Sequence, residues 1–575
     1  MAKITGGEVL KRCLVQENVK YVFGVCGAQF LPFLDAIYND ERIEFIGTRH
    51  EAAAAHAADA WTRVTGKPGV CIGTVGPGAA NLVAGVYPPS ADSIPVIAIT
   101  AQNQTWRSYP DHGSTQGLDQ ISLFKGVTKW NAVISHWERI PELVHQAFRI
   151  ATSGRPGPVH LDFPSDVMFQ AKDENEVKTV PPKSYRSIER PVGDISLIEQ
   201  AAKMLGEAKL PLIHAGGGVL RSEASEELIQ LAEYLQAPVT TSVQGKGAIP
   251  EDHPLCLISN CFGTGGLVVQ ADADVVLLVG GRLADLEFWG QPPLWGDPAQ
   301  QKLIQVDISG DMIGLNRLVD IGIVGDAKST LRALLEALKK HTPKKEERES
   351  LQSYKQVEKD WLEGFKEMCE SDSVPIHPAR LVKEAREFFP RDAIAVSDGG
   401  NTSVWCVRLN RIYEPNTFLS CSSGDAGHLG AGIPYAIAAK LAAPSKQVYC
   451  ITGDGSFGLN IQELETASRL QLPIVFIVHN DSAWGMIKGG QTASFGKRYI
   501  GVDLGDVRYD EIARGMNCYG ERVVKPSEIK PALQRAVDSK LPAVLAVLDV
   551  IIDKEVLPSP DLEACVAQWL EGCGG

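Results

Sequence analysis

Apolar positions in the first part of the chain alternate between two spacings, one typical of helices and one typical of buried strands. Residues 7–16 have helical spacing, whereas residues 21–27, 93–100 and 157–164 are short apolar runs bounded by glycine or proline. Residues 68–85 predict a strand, a glycine loop and a helix. Strands that alternate with helices predict a parallel sheet covered by helices on both faces.

The same alternation occurs twice more along the chain. A second group of strand candidates lies at residues 210–220, 237–243, 273–283 and 302–308. Beyond an exposed, charged connection, a third group lies at residues 393–401, 446–456, 472–480 and 542–552. We therefore predict an α/β protein built from three tandem domains, each an open parallel sheet, and the sequence shows no short internal repeat.

Changes in composition divide the chain. Residues 171–191 are polar and carry Lys, Glu and Pro, which is typical of a linker. The predicted domains cover residues 1–171, 192–340 and 375–550, and residues 551–575 form a tail or a lid over the site. A length of 575 residues agrees with several domains rather than one core.

Charge and cysteine content narrow the class of protein. The net charge of −14 is dispersed and argues against a nucleic-acid partner. The 12 cysteines form no CxxC pair, so we expect reduced thiols. No stretch reaches the roughly 18 apolar residues of a membrane-spanning helix, and the N-terminus lacks the apolar segment of a signal peptide. We expect a soluble cytoplasmic protein that binds no membrane.

Two acidic motifs end neighbouring strands of the third predicted domain. Gly453, Asp454 and Gly455 follow one strand, and Asn480 and Asp481 close the next. The carboxyl ends of parallel strands share one edge, where ligands of open sheets bind. The two aspartates there could supply oxygen ligands to Mg²⁺, and the glycines would let backbone N–H groups approach a diphosphate. Taken alone, the Gly-Asp-Gly motif is more often a turn.

The spacing of these motifs resembles the cofactor-binding motif of thiamine diphosphate (ThDP, or thiamine pyrophosphate) enzymes. In that family Gly-Asp-Gly is followed after about two dozen residues by an Asn-Asn pair. This chain departs from the pattern at Asp481, where Asn is usual. Carboxylate is also an oxygen ligand, so metal binding should survive. The resemblance implies the carbonyl of Ala483 as a third metal ligand beside Asp454 and Asp481.

A second motif lies in the first predicted domain. Arg49, His50 and Glu51 match the Arg-His-Glu motif of the family, and Glu51 matches its cofactor-activating glutamate. The resemblance implies that Glu51 bonds to the pyrimidine ring, whose amino group then removes a proton from the thiazolium carbon. A carboxylate that merely favours a helix start is the alternative.

Further matches imply the rest of the cofactor site. The Gly427 carbonyl would hold the pyrimidine amino group, His428 lies beside it, and Leu429 would separate the two rings of the cofactor. The remaining residues that match cofactor-binding positions are Asp398, Gly400, Asn401, Thr402, Gly453, Gly455, Ser456, Trp484, Gly485 and Met486.

The resemblance covers nearly the whole chain, in the order pyrimidine-binding domain, central Rossmann-like domain and diphosphate-binding domain. It is closest to the branch of acetolactate synthase, benzaldehyde lyase, oxalyl-CoA decarboxylase and 2-hydroxyacyl-CoA lyase. In that family the activating glutamate serves a cofactor held by the neighbouring subunit. A homo-dimer or homo-tetramer with shared active sites is therefore expected.

Residues that select the substrate give mixed indications. Ala28 and Gln29 resemble the Ala-His of benzaldehyde lyase, with Gln29 in place of His, and Gln116 falls where the branch places an active-site glutamine. The flanking Thr115 and Gly117 replace the Phe and Glu of acetolactate synthase. In favour of the synthase, residues 485–487 resemble its Gly-Met-Val run.

The central domain favours another reaction. Residues 281–283 and 290–293 resemble 2-hydroxyacyl-CoA lyase and oxalyl-CoA decarboxylase, and the FAD-associated motif of the synthase is missing. We expect a C–C lyase or carboligase with an acyl-anion (enamine) intermediate on ThDP, leaning to a 2-hydroxyacyl-CoA lyase that yields formyl-CoA and an aldehyde or ketone. Acetolactate synthase, a benzaldehyde-lyase-like carboligase and oxalyl-CoA decarboxylase are the alternatives.

The sequence does not decide whether the central domain binds ADP, CoA or FAD. The substrate is either a small carbonyl compound or an acyl-CoA, and Arg408 and Arg411 are candidate contacts for CoA phosphates. The alternative outside the enzymes is a non-catalytic scaffold that binds a nucleotide. Glu51 together with Asp454 and Asp481 argues against it, since a scaffold needs no proton-relay carboxylate.

Overall fold

Three parallel sheets and one antiparallel strand pair make up the framework of the chain in the computed structural model, which describes residues 3–258, 264–539 and 545–551. The first parallel sheet has six strands in the order β3-β2-β4-β5-β7-β6. The strands of the N-terminal region are β1 (Lys3–Thr5), β2 (Tyr21–Gly24), β3 (Glu44–Gly47), β4 (Gly69–Gly73), β5 (Val96–Gln102), β6 (Trp130–Val133), β7 (Val159–Pro164) and β8 (Ala171–Asp173).

Helices cover this sheet, and its central strands are buried along their length. Buried Val and Ile runs of this kind suit a parallel sheet packed on both faces. Strands β1 and β8 pair antiparallel, with Ile4 opposite Lys172. The helices of the region are α1 (Gly6–Gln16), α2 (Leu31–Ile37), α3 (Glu51–Thr65), α4 (Pro77–Ala91), α5 (Thr105–Ser108), α6 (Gln120–Phe124), α7 (Ile140–Thr152) and α8 (Ser165–Phe169).

Helix α3 shows why the sequence folds as it does locally. Its first turns are rich in alanine, the residue with the highest helix propensity. His50 caps the N-terminus by accepting from the Ala52 N–H at 3.1 Å, and Gly66 ends the helix with φ of 70°. Small side chains let α4 pack closely, since a Cβ on Gly85 would lie 2.4 Å from the Ala52 carbonyl oxygen.

The central region forms a five-stranded parallel sheet in the order β10-β9-β11-β12-β13. This is the 2-1-3-4-5 arrangement of doubly wound folds rather than the six-stranded 3-2-1-4-5-6 order. Its elements are α9 (Ile195–Glu207), β9 (Pro211–Ala215), α10 (Gly217–Arg221), α11 (Ser225–Leu235), β10 (Val239–Thr241), α12 (Thr264–Asp272), β11 (Val275–Val279), β12 (Lys302–Asp307), β13 (Ile321–Val324), α13 (Ala327–His341), α14 (Glu349–Glu363) and α15 (Lys366–Cys369).

The C-terminal region has a six-stranded parallel sheet in the order β15-β14-β16-β17-β19-β18. Its strands are β14 (Ile394–Asp398), β15 (Phe418–Leu419), β16 (Val448–Gly453), β17 (Ile474–Asn480), β18 (Tyr519–Val523) and β19 (Leu545–Ile551). Its helices are α16 (Pro378–Phe388), α17 (Asn401–Leu409), α18 (Gly432–Ala442), α19 (Asp454–Leu459), α20 (Glu463–Arg469), α21 (Gly485–Phe495), α22 (Tyr509–Gly515) and α23 (Ile529–Val537).

The first and third parallel sheets share one topology. Numbered within each sheet, both follow the order 2-1-3-4-6-5. The order reverses between the first and third strands of each sheet, and this switch point is where ligands bind in open α/β sheets. The switch points lie between β2 and β4 and between β14 and β16.

The chain separates into two compact units, and one of them is discontinuous in sequence. The first unit contains Met1–Glu189 together with Ile433–Ala443 and Asn460–Leu470, and the rest of the chain forms the second. Helices α18 and α20 therefore belong with the N-terminal sheet. Tyr435 of α18 donates its hydroxyl hydrogen bond to the buried Asp59 of α3, which also pairs with Arg63 at 2.8 Å.

The predicted α/β fold class, with parallel sheets in three domains, is confirmed. The predicted linker contains β8, which the sequence reasoning missed, while the connection at residues 341–350 is mostly exposed as expected. The nine cysteines in the described ranges are free thiols, and all but Cys26 are buried. No described helix combines the length and apolarity needed to span a membrane. Beyond Ile551, the predicted tail or lid lies outside the described residues.

Candidate active site

The C-terminal edge of the third parallel sheet gathers the acidic motifs of the sequence. Asp398 ends β14, Gly453 ends β16 and Asn480 ends β17, and these strands are direct neighbours. Helix α19 begins at Asp454, immediately after β16. The predicted placement of the Gly-Asp-Gly and Asn-Asp motifs along one sheet edge is therefore what the structure shows. Asp398 lies at the same edge, beside the β14/β16 switch point.

Asp454 is buried at this edge, and the half-buried Asp481 places a second carboxyl group beside it. Burial raises the pKa of Asp454, and the neighbouring charge of Asp481 raises it further. Burial also raises the pKa of Asp481. Oδ2 of Asp454 is buried and has no hydrogen-bond partner in the described ranges, whereas Oδ1 accepts from the Gly455 N–H at 2.8 Å. A divalent cation bound here would neutralise both carboxylates and satisfy that oxygen.

The turn after β17 places the third predicted metal ligand beside this pair. Ser482 has a φ of 52°, and the Ala483 N–H donates to Asp481 Oδ1 at 3.2 Å. The Trp484 N–H donates to the Val502 carbonyl at 2.8 Å and fixes the start of α21. The described residues contain no cluster of three or more His, Cys, Asp or Glu side chains arranged for a metal. A cation here would therefore need backbone carbonyl and diphosphate oxygens as well.

Glycines let three helix starts converge on the acidic pair. A Cβ on Gly455 would lie 2.6 Å from the Trp484 ring, and one on Gly400 would lie 2.8 Å from Met486 Cβ. At Gly485, a Cβ would lie 2.8 Å from Asp481 Oδ2 and 2.9 Å from Asn401 Nδ2. The N-termini of α17, α19 and α21 thus meet where a phosphate group would profit from backbone N–H donors.

A second orphaned polar atom lies at the start of α17. Oδ1 of Asn401 is buried and has no hydrogen-bond partner among the described residues. Thr402 is buried beside it, and a Cβ on Gly453 would lie 3.2 Å from Thr402 Oγ1. Together with buried Ser456, these groups form a polar cradle that fits a metal-bound diphosphate.

Asp398 holds the turn that carries the predicted pyrimidine-side contacts. Its buried carboxylate accepts from the Gly430 N–H at 3.0 Å and from the Gly432 N–H at 2.8 Å. Burial raises the pKa of Asp398 to about 6. Gly427, in the same turn, has a φ of 57° and open space where a side chain would be. The hydrogen bonds to Asp398 thus fix the backbone of this turn.

His428 and Leu429 follow Gly427 and are both half-buried. The His428 N–H donates to the Cys421 carbonyl at 3.3 Å, and burial lowers the pKa of the His428 ring. These contacts keep residues 427–429 at the edge of the sheet that holds Asp398. A role of this segment in propping the cofactor stays a prediction.

In the first unit, Glu51 is buried at the N-terminus of α3. Its Oε2 accepts a hydrogen bond from Asn81 Nδ2 at 2.9 Å. A Cβ on Gly78 would lie 3.0 Å from Oε1, so the first turn of α4 passes directly beside the carboxylate. Glu51 is therefore a buried, oriented carboxylate without a cationic partner among these contacts.

The predicted substrate-selecting residues of the first unit also meet at one edge. Ala28 and Gln29 follow β2, and Gln29 Oε1 accepts from Thr74 Oγ1 at 2.9 Å. Gln116 is exposed and has a φ of 60°, and a Cβ on Gly76 would lie 2.4 Å from its carbonyl oxygen. All three lie at the β2/β4 switch point.

Sequence reasoning placed one group in the wrong surroundings and missed two others. Arg408, a candidate contact for CoA phosphates and hence expected at the surface, is buried, with its guanidinium 5.9 Å from the Phe365 ring centroid. Asn81, which orients Glu51, left no signal in the sequence pattern. Glu463 lies within the recognised motif region, but nothing in the pattern shows that it contacts the Glu51 turn. Arg282 is paired with Asp425, and the ligand of the central domain stays a prediction.

Comparison with known families defines the class of protein. Residues 4–123 match the family description "Thiamine pyrophosphate enzyme, N-terminal TPP binding domain". Residues 198–334 match the central domain of the same enzymes, and residues 398–547 match their C-terminal TPP binding domain. These matches and the two polar sites define a thiamine-diphosphate-dependent enzyme.

Individual relatives narrow the branch. A probable acetolactate synthase large subunit of Methanocaldococcus jannaschii is 39% identical, over 96% of this chain and 93% of the relative. Acetolactate synthase large subunits of Corynebacterium glutamicum and Haemophilus influenzae are each 33% identical, over 98% and 97% of this chain and 89% and 96% of the relatives. The chain belongs to the thiamine pyrophosphate enzyme family, in its acetolactate synthase branch.

Proposed function

We propose that the protein decarboxylates pyruvate and joins the remaining two-carbon unit to a second 2-oxo acid, which is the acetolactate synthase reaction. The observation that carries the proposal is similarity over nearly the full chain to proteins of that name. Glu51 and the Asp454/Asp481 pair supply the two acidic sites that this chemistry needs. A 2-hydroxyacyl-CoA lyase, favoured by the sequence of the central domain, is less well supported, since the relatives reported above carry the synthase name.

The residues present suit the cofactor, and each has a part to perform. When bound, thiamine diphosphate would supply a nucleophilic thiazolium carbon and a positively charged ring able to accept the electron pair released with CO₂. Glu51 would provide the buried carboxylate that exchanges a proton with the pyrimidine ring, and Asn81 keeps it oriented. Asp454, Asp481 and the Ala483 carbonyl would hold Mg²⁺ and, through it, the diphosphate.

A product analysis tests the proposal. The protein, loaded with ThDP and Mg²⁺, is given pyruvate or a 2-hydroxyacyl-CoA in parallel, and products are identified by mass spectrometry. We expect one acetolactate and one CO₂ for every two pyruvates. Glu51→Gln should lower turnover by about 100-fold or more, because the proton-transfer group is lost.

Two results would contradict it. Formyl-CoA with an aldehyde or ketone from the thioester, and no acetolactate from pyruvate, would establish the lyase instead. Turnover that is unchanged in Glu51→Gln would remove the assigned role of that residue.

A further inference from the structure

Glu463 is a buried carboxylate whose described partners include no cation. It is the first residue of α20 and is completely inaccessible to solvent. Its Oε1 accepts from the backbone N–H groups of Arg49 at 3.0 Å and His50 at 3.1 Å. Its Oε2 accepts from Thr466 Oγ1 at 2.7 Å. Burying a carboxylate without a counter-ion is costly, so this arrangement calls for a physical reason.

The two N–H groups belong to the turn that leads into Glu51. This turn joins β3 to α3, and several contacts fix it. The Thr48 N–H donates to the Gly24 carbonyl at 2.8 Å, and the Thr48 hydroxyl donates to the His50 carbonyl at 3.0 Å. Arg469, the last residue of α20, donates to the carbonyl of Gly47. Helix α20 therefore holds this turn from both of its ends.

From these contacts we infer that Glu463 is a positioning residue for Glu51. Hydrogen bonds from N–H donors to a carboxylate are stronger than neutral ones, and two of them fix the backbone immediately before the helix start. The position of the Glu51 carboxylate depends on that backbone and on Asn81. The inference rests on the proposed proton-exchange role of Glu51.

The energetic balance of the site agrees with this assignment. Burial raises the pKa of Glu463 to about 7, although the Thr466 hydroxyl and the Arg49 and His50 N–H groups oppose the shift. The fold thus keeps a carboxylate where burial disfavours its charge. An alanine at the position would leave two buried N–H groups without an acceptor.

The test measures the step that Glu51 serves rather than turnover of a substrate. Exchange of the thiazolium C2 proton is followed by NMR after transfer of the holoenzyme to D₂O and acid quench. For Glu463→Ala we expect exchange about tenfold slower at saturating ThDP and Mg²⁺, because the carboxylate is displaced. Glu463→Gln keeps one carbonyl acceptor, so its C2 proton exchange should slow less than that of Glu463→Ala. In both variants kcat should fall with little change in KM.

A second readout needs no cofactor. In the cofactor-free protein, hydrogen–deuterium exchange of a peptide covering residues 44–52 should be faster in Glu463→Ala than in the wild type. Glu17→Gln is the matched control, because Glu17 is also a buried carboxylate of the first unit but contacts Tyr185 and Arg186 instead. We expect the control to leave both readouts unchanged.

The outcomes separate this inference from the proposed function. If Glu51→Gln abolishes C2 exchange while Glu463→Ala exchanges at the wild-type rate, Glu463 is not a positioning residue. If Glu463→Ala and Glu17→Gln slow exchange equally, the effect is general destabilisation and the inference is wrong. If Glu51→Gln itself leaves C2 proton exchange unchanged, the proposed role of Glu51 is wrong. The inference about Glu463 is then wrong too, because it rests on that role.

Discussion

At the scale of single residues, Asp162 connects the loop that carries Gln116 to the sheet beneath it. The Tyr109 hydroxyl donates to Asp162 Oδ2 at 2.6 Å, and Gln120 Nε2 donates to Oδ1 at 2.5 Å. Gln120 also accepts from the Gly76 N–H at 2.8 Å. A buried carboxylate therefore fixes both sides of this predicted substrate site.

Burial raises the pKa of Asp162 to about 6. The folded protein thus holds a proton that the unfolded chain releases near pH 4, so this group stabilises the fold at low pH. Its contribution falls by up to about 3 kcal/mol as the pH rises from 4 to 7. Asp162→Asn removes this dependence. Thermal unfolding of both proteins between pH 4.5 and 7.5 should show the wild type losing Tm relative to the variant as pH rises.

The neighbouring His160 does not confuse that comparison. Burial lowers its pKa to about 3, so it is neutral across the pH range in both folded proteins. Its own contribution is then common to wild type and variant. A Tm difference that does not change with pH would show that Asp162 keeps an ordinary pKa in the folded state.

Site residues that belong to a local sequence motif could be predicted from the sequence. Asp454 and Asp481 follow buried strands at the spacing that brings strand ends together, and Glu51 lies in a recognisable motif. Glu463 could not be assigned in this way, because its partner Arg49 is 414 positions away and offers only a backbone N–H. Asn81 similarly acquires its role from a contact between two helices. Such contacts leave no periodic trace in the chain.

At the scale of elements, the close approach of α17, α19 and α21 fixes the acidic pair. Gly485→Ala would place a methyl group 2.8 Å from Asp481 Oδ2 and so displace that carboxylate. We expect the Mg²⁺ concentration that half-saturates ThDP binding to rise by about tenfold, since coordination tolerates little displacement. Titration of ThDP binding with Mg²⁺, followed by fluorescence or calorimetry, measures the change.

A glycine of α19 provides the control for this substitution. A Cβ on Gly458 would meet no atom within 4 Å, so Gly458→Ala should bind Mg²⁺ as the wild type does. Equal metal affinity in Gly485→Ala and Gly458→Ala would mean that the packing of α21 does not set the position of Asp481.

Whether a strand of a parallel sheet could be predicted from the sequence depended on its position in the sheet. Every interior strand was identified, because its sequence is rich in apolar residues, and strands such as β4, β5 and β7 are buried along their whole length. The five parallel strands that were missed are all edge strands, namely β3, β6, β13, β15 and β18. An edge strand is short and partly exposed, as in β18 with Glu521 and Arg522, and its mixed polarity resembles that of a loop.

At the scale of the whole molecule, the predicted sharing of active sites between subunits stays a prediction that co-expression can test. We expect Glu51→Gln and Asp454→Ala each to be inactive as homo-oligomers. A mixed oligomer would contain one site with both residues intact if Glu51 serves a cofactor bound by the partner subunit. Activity of the purified, doubly tagged hetero-oligomer should then reach up to about half that of wild type.

The alternative arrangement gives a clear result. If each chain completes its own site, the hetero-oligomer contains no intact site and remains inactive. Light scattering of the same samples gives the number of chains and distinguishes a dimer from a tetramer.

The discontinuity of the first unit has a consequence for how the protein is made. Its sheet is encoded by the first 189 residues, yet two of its helices arrive only with Ile433–Ala443 and Asn460–Leu470. During synthesis, the surfaces that α18 and α20 later cover stay uncovered until the whole central region has emerged from the ribosome. The carboxylate that holds the Glu51 turn is added near the end of this interval. The first unit can therefore complete its packing only after the chain has been translated as far as Leu470.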